Sequence, residues 1–166
     1  MSDDAPPRPL EGLLTEVREG RLSVNFGAGA PDAVRVNAEE FVYIDRDCEG
    51  FKLTIQELQS IAKEISLREK WDLGEAHPDL GSAKTLVSRY RAKADGAGDG
   101  NSVHAILEQH YQIVCDIQQL HREIAQRYLE TDEGFAARYN ELTATLPPPG
   151  PLTLPPGPNI FGGTSV

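Results

Sequence analysis

The chain has 166 residues, of which 16 are basic and 26 acidic, so its formal net charge at pH 7 is −10. This length fits one compact domain with tails, and the acidity disfavours general binding to nucleic acid or to anionic membranes. No apolar run approaches the roughly 20 residues of a membrane-spanning helix, and the N-terminus MSDDAPPRPL lacks the basic and apolar regions of a Sec signal peptide.

Residues 1–36 are predicted to form a partly ordered N-terminal arm. Apolar residues at helical spacing (Leu10, Leu13, Leu14 and Val17) indicate a short helix that ends at Gly20. Leu22, Val24 and Phe26 then alternate as in a short strand. Two alternatives stay open for this arm, which either docks on the core or remains apart from it.

A long helix is predicted over about 37–68. Asn37 with Glu40 three residues later has the form of a capping box. Apolar residues then recur in steps of three and four at Phe41, Ile44, Cys48, Phe51, Ile55, Leu58, Ala62 and Ile65. This heptad spacing is typical of a helix that packs along another helix. Gly50 interrupts it at a cost of about 1 kcal/mol relative to alanine.

The second half of the domain repeats this pattern after a break. Trp71, Gly74 and Pro78 indicate a turn, and a second helix is predicted over 79–94. After the glycine-rich segment 95–100, a third stripe runs through Val103, Leu107, His110, Val114, Ile117, His121, Ile124 and Tyr128. Phe135, Tyr139 and Leu142 extend this third helix to about 145, where Pro147 ends it.

These elements predict an all-α fold, in which residues 37–146 form an antiparallel helical hairpin or small bundle. Ile106, Ile113 and Leu120 widen the third stripe to a second apolar face. A two-helix hairpin cannot cover that face. It must therefore meet the second helix, the N-terminal arm or another chain, and it is the candidate partner face.

Residues 147–166 are predicted to be a disordered tail. Seven of the 12 prolines lie there with four glycines and no charge. Since proline removes backbone donors and glycine adds chain entropy, we expect extended, mobile chain. A polyproline ligand around Pro148 to Pro151 is the alternative.

No pattern of catalytic or cofactor-binding residues is found. The glycines near 98 follow a helix and lack the lysine of a phosphate loop. His104, Glu108 and His110 do not share one helix face, so no metal site is expected. Cys48 and Cys115 are expected to be reduced, and no cofactor is expected.

The turn at Trp71 resembles that of the WXG-type helical-hairpin proteins of type VII secretion. A long amphipathic helix, a tryptophan–glycine turn and another amphipathic helix carry the likeness, over about 37–142. The string WDLGEAHPDLGSAKTL is similar to the turn region of the related actinobacterial secretion-associated proteins. Two residues separate Trp71 from Gly74, whereas the strict motif has one.

Tyr128 and Asp132 match the Tyr-x-x-x-Asp/Glu export signal that these families carry after the hairpin. The resemblance implies that Trp71 and Gly74 let the chain reverse, with the indole covering the end of the hairpin. It also implies that Tyr128 and Asp132 present a ring and a carboxylate to the secretion machinery. Tyr43 with Asp47 is a second match to the same motif.

The resulting hypothesis is a non-enzymatic substrate or secretion-associated protein of a type VII system. It is made in the cytoplasm, pairs with a helical protein or with itself, and reaches the medium or the cell envelope without a Sec signal peptide. The alternative is a resident cytosolic helical scaffold or chaperone with no export role.

Overall fold

The computed structural model describes residues 8–23 and 36–152. Five helices occur there: α1 (Glu11–Arg18), α2 (Ala38–Leu67), α3 (Gly81–Ala94), α4 (Val103–Thr131) and α5 (Glu133–Thr145). The all-α prediction is therefore confirmed, and none of the described helices has the length and apolarity to span a membrane. Of the predicted strand, Leu22 lies in irregular chain, and Val24 and Phe26 lie outside the described residues.

The two longest helices, α2 and α4, lie antiparallel along each other. Polar pairs join them in reverse order: Asp45 with Arg122, Glu49 with Gln118, and Gln59 with Glu108. Asn37 starts α2, because its side chain accepts a 3.0 Å hydrogen bond from the N–H of Glu39. The predicted capping box differs in this detail, since it assigned that bond to Glu40.

The predicted third helix is in fact two helices, so its continuous extension to about 145 is wrong. The backbone of Asp132 is extended (φ −131°, ψ 104°), and its carboxylate accepts a 2.9 Å hydrogen bond from the N–H of Phe135. An aspartate that caps a new helix competes with continuation of the old one. The chain therefore changes direction at Asp132, and α5 packs against α2 through Arg138 and Glu39.

The first helix packs on α4. Leu14 and Val17 of α1 are buried. Asp116 of α4 is fully buried and forms an ion pair with Arg8, and one of its oxygens accepts a 3.4 Å hydrogen bond from the N–H of Leu10. A side chain of α4 thus satisfies a free backbone donor at the start of α1.

The predicted heptad stripe of α2 is only partly buried. Cys48, Ile55 and Ala62 are buried, whereas Phe51 is 50% exposed and Ile65 is 39% exposed. The side of α2 that faces α4 carries the bonded polar residues Asp45, Glu49, Lys52 and Gln59. Successive residues of a helix are about 100° apart, so Phe51 and Ile65 do not lie on the side of α2 that faces α4 and remain at the surface.

The structure describes the first six residues of the predicted tail, 147–152. Residues 147–152 have no regular structure but lie on α2, where the N–H of Leu152 donates a 2.9 Å hydrogen bond to Thr54 Oγ1. The rest of the predicted disordered tail, 153–166, lies outside the described residues.

Candidate functional site

The junction of α4 and α5 brings Tyr128 and Asp132 into one open cleft. This cleft has a volume of about 630 Å³, and Asn37, Gly134 and Arg138 also line it. The backbone N–H of Asp132 donates a 2.8 Å hydrogen bond to the carbonyl of Tyr128, which fixes the two residues one turn apart. The expected position near the end of the last helix is corrected, because α5 follows the pair.

Tyr128 is half-buried in a cluster of aromatic rings. Its ring centroid lies 5.5 Å from that of Phe135 and 6.3 Å from that of Phe41. Phe135 is buried and also stacks on Tyr139 at 5.8 Å. Rings at these separations stabilise each other beyond the apolar area they bury. The ring of Tyr128 therefore has a packing role whatever else it does.

The second match to the export motif has a different environment. Tyr43 and Asp47 lie one turn apart on α2, and both are exposed, Tyr43 by 43%. Tyr43 and Asp47 stand on the continuous helix surface of α2. Only the pair Tyr128 and Asp132 combines a helix end with a cleft.

The Trp71 turn is held by stacking and by backbone hydrogen bonds. The indole stacks on Tyr90 of α3, with centroids 5.7 Å apart and planes 16° apart, and Nε1–H donates a 3.1 Å hydrogen bond to the carbonyl of Arg68. Arg91 of α3 donates to the carbonyls of Arg68 and Glu69 just after α2 ends. The indole thus joins the end of α2 to α3.

Gly74 meets two constraints in this turn. Its φ of +89° favours glycine, and a Cβ atom there would lie 2.9 Å from Leu80 Cδ1. Sequence reasoning missed Glu75, whose carboxylate accepts hydrogen bonds from the N–H groups of Trp71 (2.6 Å), Asp72 (3.2 Å) and Leu73 (2.9 Å). These bonds stabilise the charged form and lower the pKa of Glu75.

The three residues of the candidate partner face have different surroundings. Ile106 is 39% exposed, whereas Ile113 and Leu120 are half-buried. Leu120 lies on the part of α4 that α1 covers, between the contacts of α1 with Asp116 and with Glu123. The N-terminal arm therefore meets one end of this face, and the end at Ile106 stays open.

A polar network around the buried Gln118, between α2 and α4, was not predicted. Gln118 is 3% exposed; its amide donates to the carbonyl of Asp45 (3.1 Å) and to Glu49 (2.8 Å), and it accepts from Lys52 (2.9 Å). Lys52 and Gln118 also lower the pKa of Glu49 by hydrogen bonding to its carboxylate. The sequence signal was a glutamine one residue from the apolar stripe, and such a residue is usually exposed.

The described residues hold no cluster of three or more His, Cys, Asp or Glu side chains placed to bind a metal ion. Cys48 is buried, and burial is the main cause that raises the pKa of its thiol. A thiol in such surroundings is a weak nucleophile. No protein-family model, curated protein or solved structure matches this chain.

Proposed function

We propose that this chain is a non-enzymatic substrate or secretion-associated protein of a type VII secretion system. It is made in the cytoplasm and is exported to the medium or the cell envelope. Its work is done by protein–protein contact, first with the secretion machinery through the α4–α5 junction and then with a helical partner.

The observation that carries the proposal is the position of Tyr128 and Asp132. They are one turn apart where α4 ends, and both line the same open cleft. Asp132 is exposed, so a receptor can reach its carboxylate without unfolding the bundle. A ring and a carboxylate at a helix end are the groups that the motif requires.

The Trp71 turn supports the same proposal independently. Trp71 closes the end of α2 against Tyr90, and Gly74 supplies the left-handed backbone that the reversal needs. These are the roles that the resemblance assigns to the tryptophan and the glycine. Two helices whose connection, residues 68–80, is held by these contacts offer a stable surface to a partner.

Exposed apolar residues at one end of the bundle support binding to a helical partner. The 3.0 Å hydrogen bond between Gln59 and Glu108 places the last turns of α2 beside the first turns of α4. Large apolar side chains are exposed in both segments: Ile61 (50%), Ile65 (39%), Leu67 (70%), Val103 (51%) and Ile106 (39%). Several exposed apolar side chains at one end of a small domain are typical of an interaction surface.

A resident helical scaffold or chaperone is the second candidate. The observation that favours this candidate is that Tyr128 and Asp132 both have a structural role in the folded chain. Tyr128 packs against Phe135, and Asp132 caps α5. A tyrosine and an aspartate selected only for packing and capping would be found in the same places.

Comparison of culture filtrate with cell lysate tests the proposal directly. A blot for this chain is run in the native host and in a strain without the type VII ATPase, beside a cytosolic marker. We expect the chain in the wild-type filtrate without the marker, and its loss from the filtrate of the ATPase mutant. A chain confined to the lysate in both strains contradicts export and leaves the scaffold.

A further inference from the structure

The segment Pro147–Leu152 lies against α2 as an extended peptide. Phe135 of α5 contacts Phe41 near the start of α2, and Leu152 forms a hydrogen bond with Thr54 further along α2. Residues 135–152 therefore run in the same direction as α2. Thr54 uses its hydroxyl twice, because it also donates a 2.9 Å hydrogen bond to the carbonyl of Gly50. The hydroxyl is therefore held in place to accept the N–H of the peptide.

Gly50 opens the space that the peptide occupies. It is a buried helical glycine, and a Cβ atom on it would lie 3.0 Å from the carbonyl oxygen of Gly150 and 3.2 Å from Leu152 Cδ2. Among the described residues, the three nearest atoms outside the adjoining turns of α2 all belong to Gly150 and Leu152. Gly50 and Thr54 thus form a notch on α2 whose shape fits an extended backbone followed by a leucine.

The chemistry of the docked segment is specific although its contact is small. Its sequence PPPGPL carries no charge, and its four prolines lack backbone donors, so only Gly150 and Leu152 have N–H groups. Prolines also restrict the free chain, which reduces the entropy lost on docking. Leu152 is only half-buried, and most of the other residues of the segment are exposed or nearly so. A contact of this size is releasable.

We propose that the Gly50–Thr54 notch is a docking site for an extended, uncharged, proline-containing peptide that places a leucine beside Gly50. Pro147–Leu152 occupies this site within the chain, and a partner segment of the same chemistry displaces it. The interaction of the docked segment with α2 is the interface from which this ligand class is inferred. The proposal is independent of export and of the helical partner.

The test is an NMR titration of the full chain with the synthetic peptide LPPPGPL. The L152D variant weakens the internal ligand and leaves the notch intact, so we expect it to bind the peptide at least tenfold more tightly than the wild type does. Adding Gly50→Leu to L152D fills the notch, and binding should be lost. Gly81→Leu in the same background is the matched control, since a Cβ at Gly81 meets nothing within 4 Å.

Hydrogen exchange at the Leu152 amide gives a second measurement that needs no added peptide. We expect Gly50→Leu in the otherwise native chain to speed that exchange at least tenfold, and Gly81→Leu to leave it unchanged. Equal exchange in both variants overturns the notch. Failure of L152D to bind the peptide at millimolar concentration, or equal binding when Gly50 is replaced, overturns the docking site.

Discussion

Tyr128 and Asp132 both contact Phe135. The ring of Tyr128 packs on the ring of Phe135, and the carboxylate of Asp132 accepts a hydrogen bond from its backbone N–H. The ring centroids of Tyr128 and Phe135 lie 5.5 Å apart, and the N–H of Phe135 donates a 2.9 Å hydrogen bond to Asp132. An alanine at either position therefore changes the α4–α5 junction as well as the motif. Conservative replacements are needed to separate folding from recognition.

Two replacements of Asp132 should affect stability differently. Asp132→Ala removes the cap of α5 and should lower the free energy of unfolding by about 1 kcal/mol. Asp132→Asn keeps a capping oxygen and should cost only a few tenths of that, about 0.3 kcal/mol. Urea denaturation followed by circular dichroism measures both. Equal losses would show that the 2.9 Å hydrogen bond to Phe135 does not stabilise the junction.

Gln118 should contribute more to stability than its neighbour Gln119. Gln118→Ala removes hydrogen bonds to part-buried groups of Asp45, Glu49 and Lys52. Two of these bonds are to charged side chains, so their loss should cost about 1–3 kcal/mol. Gln119→Ala loses only a 3.5 Å contact with Arg8 and should change stability by less than about 0.5 kcal/mol. Denaturation of the two variants compares them, and similar losses would contradict the role of the network.

Stability should fall with acid through carboxylates whose pKa is lowered by folding. Glu49 and Glu108 both have a pKa below the ordinary value of 4.5, chiefly because Lys52 and Gln112 donate hydrogen bonds to them. A lowered folded-state pKa contributes stability that is fully present above the unfolded value and is lost as the pH falls through the folded value.

The free energy of unfolding should therefore be constant with respect to these groups above about pH 5.5 and decrease below pH 4.5. Glu49→Gln should reduce the slope of that decrease, and Glu57→Gln, on the exposed side of α2, is the control for the removal of one carboxylate. Denaturation between pH 3 and 7 measures the slopes. Identical slopes for wild type and Glu49→Gln would show that folding does not perturb this carboxyl.

The helices could be predicted from sequence because their causes are local. The limits of about 37–68 predicted from the apolar stripe and Asn37 are close to the observed limits of α2, Ala38–Leu67. Gly20, which follows α1, has a positive φ of +70°, a conformation that favours glycine. The helix break at Asp132 could not be predicted from the periodicity, because Phe135 continues the apolar spacing across it. The capping signal was present in the sequence but weaker than that periodicity.

The features that depend on distant contacts could not be predicted. From the sequence, Gly50 only lowers the helix propensity of α2. Its role becomes clear from the contact with Leu152, about a hundred positions later. From the sequence, Gln118 is expected at the surface, but in the structure it is buried beside α2. In both cases the deciding neighbour comes from another element, and the spacing of residues within one helix contains no information about it.

The partner face should respond differently at Ile106 and at Ile113. Ile106 is 39% exposed, so Ile106→Glu should change stability by less than about 0.5 kcal/mol while weakening partner binding. Ile113 is half-buried, so Ile113→Glu should destabilise the fold as well. The exposed Gln109→Glu adds the same charge on α4 as a control. Pull-down and denaturation are compared for each variant, and intact complexes with Ile106→Glu would contradict the partner face.

The central claim is that the carboxylate of Asp132 acts in export, and one pair of variants tests it most directly. Asp132→Asn keeps the cap of α5 but removes the charge, and Asp47→Asn makes the same change in the second motif match on α2. The measurement is the ratio of filtrate to lysate signal in the native host. The account predicts at least a tenfold loss for Asp132→Asn and no change for Asp47→Asn. Export of Asp132→Asn at the wild-type level would contradict it.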